Sequence, residues 1–124
     1  VGRVVRSSGR SHWVELLTHP AAAVAVQTAD GSVRGLATGT GRSKRVSVQY
    51  IRRNADLLRG DGFVTSGADG IYPAGIPVAR IAGIRESDAP FLEVSAAPTA
   101  ELGTLRVVLL LPEWVGSPSP EAWP

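Results

Sequence analysis

Ser66, with the two histidines His12 and His19, is the combination in this chain whose residue types could support nucleophilic catalysis. A hydroxyl nucleophile needs an imidazole within hydrogen-bond reach to take its proton, and a carboxylate behind that imidazole to orient it. Ser66 stands in Thr-Ser-Gly rather than in the Gly-x-Ser-x-Gly turn that lifts a nucleophile above a sheet. It reads as a turn residue whose hydroxyl bonds its own backbone. A serine hydrolase on a two-barrel fold is the alternative, and it requires one histidine to reach Ser66.

Other chemistries find less. The chain has no cysteine, which removes disulfides, thiolate catalysis and cysteine-based zinc. The two histidines flank the segment from Trp13 to Thr18, so they do not form a metal pair. Asp56, Asp61 and Asp69 are turn or loop residues, with no alternating oxygen ligands closed by a glutamate as calcium requires. Gly35 to Gly41 contains a Gly-x-Gly, but no Lys-Ser/Thr and no helical pattern follows to cradle a phosphate. No cofactor is implied. A net charge of +2 with no basic stripe interleaved with aromatics gives no sign of nucleic acid.

Binding is the reading that remains. Arg42, Lys44 and Arg45, with Arg52 and Arg53, form a loose basic stretch, either a solvated face or an attraction for an acidic partner or anionic headgroups. Tyr72, Pro73 and Ile76 are apolar residues in a loop, either buried against the fold or exposed as a contact patch. Trp13 reads as core, while Trp114 and Trp123 in the proline-rich tail could anchor a partner.

The elements that must position these residues are β almost throughout. Nine short segments read as strands: 3–6, 13–18, 23–28, 33–38, 46–51, 63–65, 77–84, 91–95 and 105–111. Asp30-Gly31 is the strongest hairpin signal. Val46, Val48 and Tyr50 alternate with Ser47 and Gln49, as a strand with one wet face should. A single helical turn is allowed between Ala97 and Gly103. The densest information lies from Gly60 to Ile81, where Gly60, Asp61, Ser66, Gly67, Gly70, Gly75 and Pro77 specify backbone shape: glycine permits positive φ and proline fixes φ near about −65°. No run reaches the roughly eighteen apolar residues of a membrane span.

The stretch from Gly60 to Ile81 resembles the extracytoplasmic domain of the MreC family of bacterial rod shape-determining proteins. Three further segments agree in the same order: Val1-Gly-Arg-Val-Val5 leading to Val14-Glu-Leu-Leu-Thr-His-Pro20, Arg34 to Gly41, and Val46 to Tyr50 followed by Arg53-Asn-Ala-Asp56. The resemblance runs from residue 1 to about 111. Ala79 departs from it, standing after Pro77-Val78 where a glycine is usual, so that backbone should not need a glycine-only conformation.

The resemblance implies an all-β fold of small barrels in a two-barrel arrangement, incomplete in this chain, with few or no helices. Residues 1–52 would build part of the first barrel, 53–111 the later strands of the second, and 112–124 a proline-rich mobile tail. Strands 77–84 or 105–111 would then have unpaired edges. The resemblance also implies a non-enzymatic scaffold of the peptidoglycan-elongation machinery on the periplasmic side of the inner membrane. Its membrane helix and coiled coil would lie upstream of Val1, and its partners would be the elongation transpeptidase, MreD and other copies of itself. A soluble β-barrel that binds small ligands is the third possibility, and it would demand an enclosed cavity.

Overall fold

The computed structural model describes residues 1–86 and 90–111. It contains two β assemblies. Strands β1 (Gly2–Ser8) and β2 (Ser11–Leu16) form an antiparallel hairpin paired only to itself. Strands β3 (Ala23–Thr28), β4 (Arg34–Gly39), β5 (Val46–Arg52), β6 (Gly62–Thr65), β7 (Pro77–Arg85) and β8 (Phe91–Pro98) close a barrel in the order β3-β4-β5-β8-β7-β6. The seam is β3 against β6, with Val26 opposite Thr65 and Thr28 opposite Phe63. The fold class is all-β.

Period-two alternation builds the interior. Val24 and Val26 of β3, Val46 and Val48 of β5, Phe63 and Thr65 of β6, and Leu92, Val94 and Ala96 of β8 all point inward and are buried. Side chains fill the barrel, with Phe63, Ile51, Val26, Val46 and Val48 fully enclosed. Two clefts lie on the outside of the barrel and open to solvent.

The hairpin at Asp30-Gly31 forms as expected. Gly31 takes φ +74°, and the Asp30 carboxylate accepts the Ser32 N–H at 3.0 Å and the Thr28 and Ser32 hydroxyls. Those bonds hold its pKa down at about 2. The β1–β2 hairpin joins the barrel through residues 17–22. The Leu17 N–H donates to the Val1 carbonyl, and the Gly41 N–H donates to the Thr18 carbonyl at 2.8 Å. A Cβ on Gly39 would fall on the His19 carbonyl, so glycine permits that close approach.

Four expectations are corrected. The division at residue 52 does not separate two barrels, because β5 pairs with β8 and β3 with β6 across it, closing one barrel from both stretches. Strand β7 is paired on both sides, so the open edge expected at 77–84 is absent. Residues 105–111 form no strand, since closure leaves the barrel no free edge, and a single 3₁₀ turn at Leu102–Thr104 precedes them. Trp13 is not core: it is 47% exposed, with the Arg6 guanidinium 4.3 Å from its ring centroid. The tail expected over 112–124, with Trp114 and Trp123, lies outside the described residues.

Candidate interaction surface

The turn between β6 and β7 is organised by two polar side chains. The Thr65 hydroxyl, buried at the end of β6, donates to the Pro73 carbonyl and accepts the Ile76 N–H at 2.8 Å. Its backbone pairs with Ile76 and Gly75. Asp69 divides its carboxylate: Oδ1 accepts the Ile71 and Tyr72 N–H groups, and Oδ2 accepts the Ala25 N–H of β3 at 3.0 Å. Gly67 and Gly70 take φ of +77° and +68°, where a side chain would be strained. Gly60 and Gly75 also have positive φ, Asp61 accepts the Leu58 N–H at 2.9 Å, and Pro77 opens β7. Ala79 lies in β7 without positive φ.

This frame decides how Tyr72, Pro73 and Ile76 are presented. All three are half-buried, and Tyr72 packs against the barrel's hydrophobic cluster. Burial pushes the Tyr72 pKa up, opposed by Arg3 and reinforced by Asp69 and Glu15. These residues consolidate the turn and show only part of their surface. Arg42, Lys44 and Arg45 are fully outward in the β4–β5 loop, whose shape is set by the Thr40 hydroxyl bonding the Arg45 carbonyl and the Arg42 N–H.

No triad is assembled. The Ser66 hydroxyl accepts the Ala68 N–H at 3.2 Å. His12 Nδ1 bonds the Ser7 hydroxyl at 2.7 Å, and His19 Nδ1 accepts the Ala21 N–H. Among the described residues no group of three His, Cys, Asp or Glu is placed to hold a metal ion, and no helix is long and apolar enough to cross a membrane.

The exposed aromatic site lies elsewhere, at Tyr50. Alternation places Tyr50 inside with Val46 and Val48, but β5 bulges between Val48 and Ile51, where its register against β8 shifts. Ile51 takes the interior position and Tyr50 swings out. The cost is visible in the backbone: Tyr50 has φ +66°, the only positive φ among described non-glycine residues. Gly35 on β4 makes room, since a Cβ there would lie 2.7 Å from Ile51 Cδ1 and 2.9 Å from the Gln49 carbonyl. Tyr50 then meets Phe91 of β8 edge to face, with centroids 5.7 Å apart at 88°. The adjacent apolar pair Tyr50-Ile51 ending an alternating run was the sequence signal, because two neighbours in a regular strand cannot both face inward.

Two open clefts share Tyr50 as a wall. One continues over Ser47, Gln49, Arg85, Phe91 and Ser95. The other is lined by Arg34, Arg52, Asn54 and Asp56. A surface of exposed aromatics bordered by guanidinium groups is suited to protein recognition.

Comparison with known proteins agrees with this architecture. Residues 1–112 match the family model described as rod shape-determining protein MreC, barrel core. The cell shape-determining protein MreC of Haemophilus influenzae is 37% identical over 90% of this chain, and that of Escherichia coli K12 is 32% identical over 90%. The chain spans 32% and 30% of those relatives, about a third of their length. The crystal structure of MreC from Pseudomonas aeruginosa superposes with a TM-score of 0.80 at 36% identity, covering 85% of this chain and 68% of that one. A chain of the complex between penicillin-binding protein PBP2 and MreC from Helicobacter pylori matches at 29% identity and a TM-score of 0.57, over 69% of this chain and 52% of that one. With the closed barrel, the turn from Gly60 to Ile81 and the match over residues 1–112 in agreement, the chain belongs to the MreC family of rod shape-determining proteins.

Proposed function

We propose that this chain is the scaffolding β-domain of a protein that maintains rod shape by holding a peptidoglycan transpeptidase within the cell-elongation machinery. The observation that carries this reading is its likeness to a chain of the solved complex between PBP2 and MreC. The role is non-enzymatic. A barrel packed solid with side chains and carrying exposed aromatic and basic residues suits a docking module better than a catalyst. The domain works on the periplasmic side of the inner membrane, held there by the membrane anchor of the full-length protein, with MreD as a further partner.

Self-association belongs to the same reading, supported by the β1–β2 hairpin. Both of its strands have an edge that pairs with nothing among the described residues, and Val4, Val5, Trp13, Val14 and Leu16 are exposed on it. Tyr72, Pro73 and Ile76 with Arg42, Lys44 and Arg45 are proposed as secondary contacts at the rim. The test is interferometry with the full-length protein captured in detergent and the extracytoplasmic domain of the organism's elongation transpeptidase in solution. Saturable binding is expected, and absence of binding would overturn the role.

A further inference from the structure

We propose that Tyr50, seated on Phe91 and flanked by Arg34 and Arg52, is the anchor for an acidic segment of that transpeptidase, an assignment that rests on transpeptidase binding being the domain's role. The backbone at this position is unusual. A tyrosine in the left-handed region is strained, and glycine or asparagine would occupy φ +66° more comfortably. The bulge also restricts position 35, which must lack a side chain for β5 to make its detour. What this strain achieves is to move one aromatic ring from the barrel interior to the surface, where it is 57% exposed. A packing role would be better served by the regular strand.

The surroundings specify the occupant. The T-shaped contact with Phe91 already orients the Tyr50 ring, so little freedom is lost when a partner covers it. On one side, Ser47, Gln49 and Ser95 line a cleft whose charges, Arg85 and Glu93, already pair with each other. That side suits an apolar or neutral side chain lying against Tyr50 and Phe91. On the other side, Arg34 and Arg52 are exposed and pair with no carboxylate among the described residues, whereas nearby Arg53 is engaged by Glu86 at 3.8 Å. Asp56 in that cleft offsets one of the two charges and leaves a net positive wall. Charge complementarity therefore selects a segment that places an apolar side chain on the aromatic pair and carboxylates over Arg34 and Arg52.

The experiment uses the full-length protein, its Tyr50→Asn and Tyr50→Gly variants, an Arg34→Glu/Arg52→Glu double variant, and the transpeptidase's extracytoplasmic domain as probe. Both Tyr50 variants suit a left-handed backbone, so the thermal midpoint is expected to stay level or rise while binding weakens by about tenfold or more. A structural role would move stability and binding down together. The double variant is expected to weaken binding by a similar factor, and wild-type binding to fall as salt rises. If wild type fails to bind, the transpeptidase role fails and this assignment with it. If wild type binds and the Tyr50 variants bind within about twofold of it, the role stands and the anchor is overturned. Tyr50 sensitivity without a loss in the double variant would overturn the acidic character of the segment.

Discussion

The barrel and the β1–β2 hairpin are both built from strands in which valines stand among polar and charged residues, yet they spend them differently. In the barrel, six strands close on one another and alternate residues disappear from solvent. In the hairpin no residue is buried, and Val4, Val14 and Leu16 share one exposed face while Arg6 and Trp13 occupy the other. Closure accounts for the difference. A closed sheet has one protected side, whereas a lone two-stranded ribbon leaves both faces and both edges in water and is marginal by itself. Stability should therefore reside in the barrel, and the hairpin should be available for association.

Cutting side chains from the two regions gives the largest contrast. Phe63→Ala removes a fully buried ring and should destabilise by about 3–5 kcal/mol. Trp13→Ala removes a larger ring that is half-exposed and held by Arg6, and should cost about 1 kcal/mol or less. Urea denaturation followed by circular dichroism measures both, and equal losses would mean that the hairpin is packed as firmly as the barrel.

The junction between the regions is the next point of attack. Gly39→Ala would drive a methyl group into the Thr18–His19 backbone, and should cost about 1–3 kcal/mol. Gly62→Ala is the control, because nothing lies near the added Cβ and φ is not positive there. A Gly39→Ala variant as stable as Gly62→Ala would show that the hairpin stem is not locked to the barrel. Within the barrel's long turn, alanine at Gly67 or Gly70 should cost about 1 kcal/mol each through a strained φ, read from the same denaturation curves.

Much of the barrel was legible because burial on one face writes alternation into a strand. Residues 23–28 have the observed bounds of β3, and Val24, Val26, Val46 and Val48 face inward as their spacing requires. Turn chemistry was legible too, since Asp30-Gly31 and the glycines at 67 and 70 permit few backbone paths. Closure was not. The pairings of β3 with β6 and β5 with β8 join residues far apart in sequence, and no local pattern encodes them. Trp13 misled because hydrophobicity suggests burial without naming a partner, and residues 105–111 because the unbroken apolar run from 107 to 111 carries no alternation to test. At Tyr50 the alternation was present but interrupted by a bulge, so the exposed ring was expected inside.

The smallest effect tests whether the barrel's own β3–β4 hairpin carries an acid-sensitive bond at Asp30. Asp30 is solvent-exposed, and its pKa is held at about 2 by the Ser32 N–H first, then by the Thr28 and Ser32 hydroxyls. Because the folded value lies below the ordinary carboxylate value of 3.8, the unfolded chain binds more protons at this position between the two. The contribution is therefore complete above the ordinary value and disappears as pH falls through about 2. An amide side chain cannot titrate, so Asp30→Asn should be less stable than wild type at pH 6 and approach it at pH values near about 2. The turn around Asp30 is compact and joins β3 to β4 next to the barrel seam, so amide exchange at Thr28 and Val33 should report the same convergence. A wild-type protein whose denaturation midpoint runs parallel to that of Asp30→Asn from pH 6 to pH 2 would show that the carboxylate's charge adds nothing to the turn. The hairpin would then be held by the positive φ of Gly31 and by hydrogen bonds that an amide oxygen accepts as well as a carboxylate does.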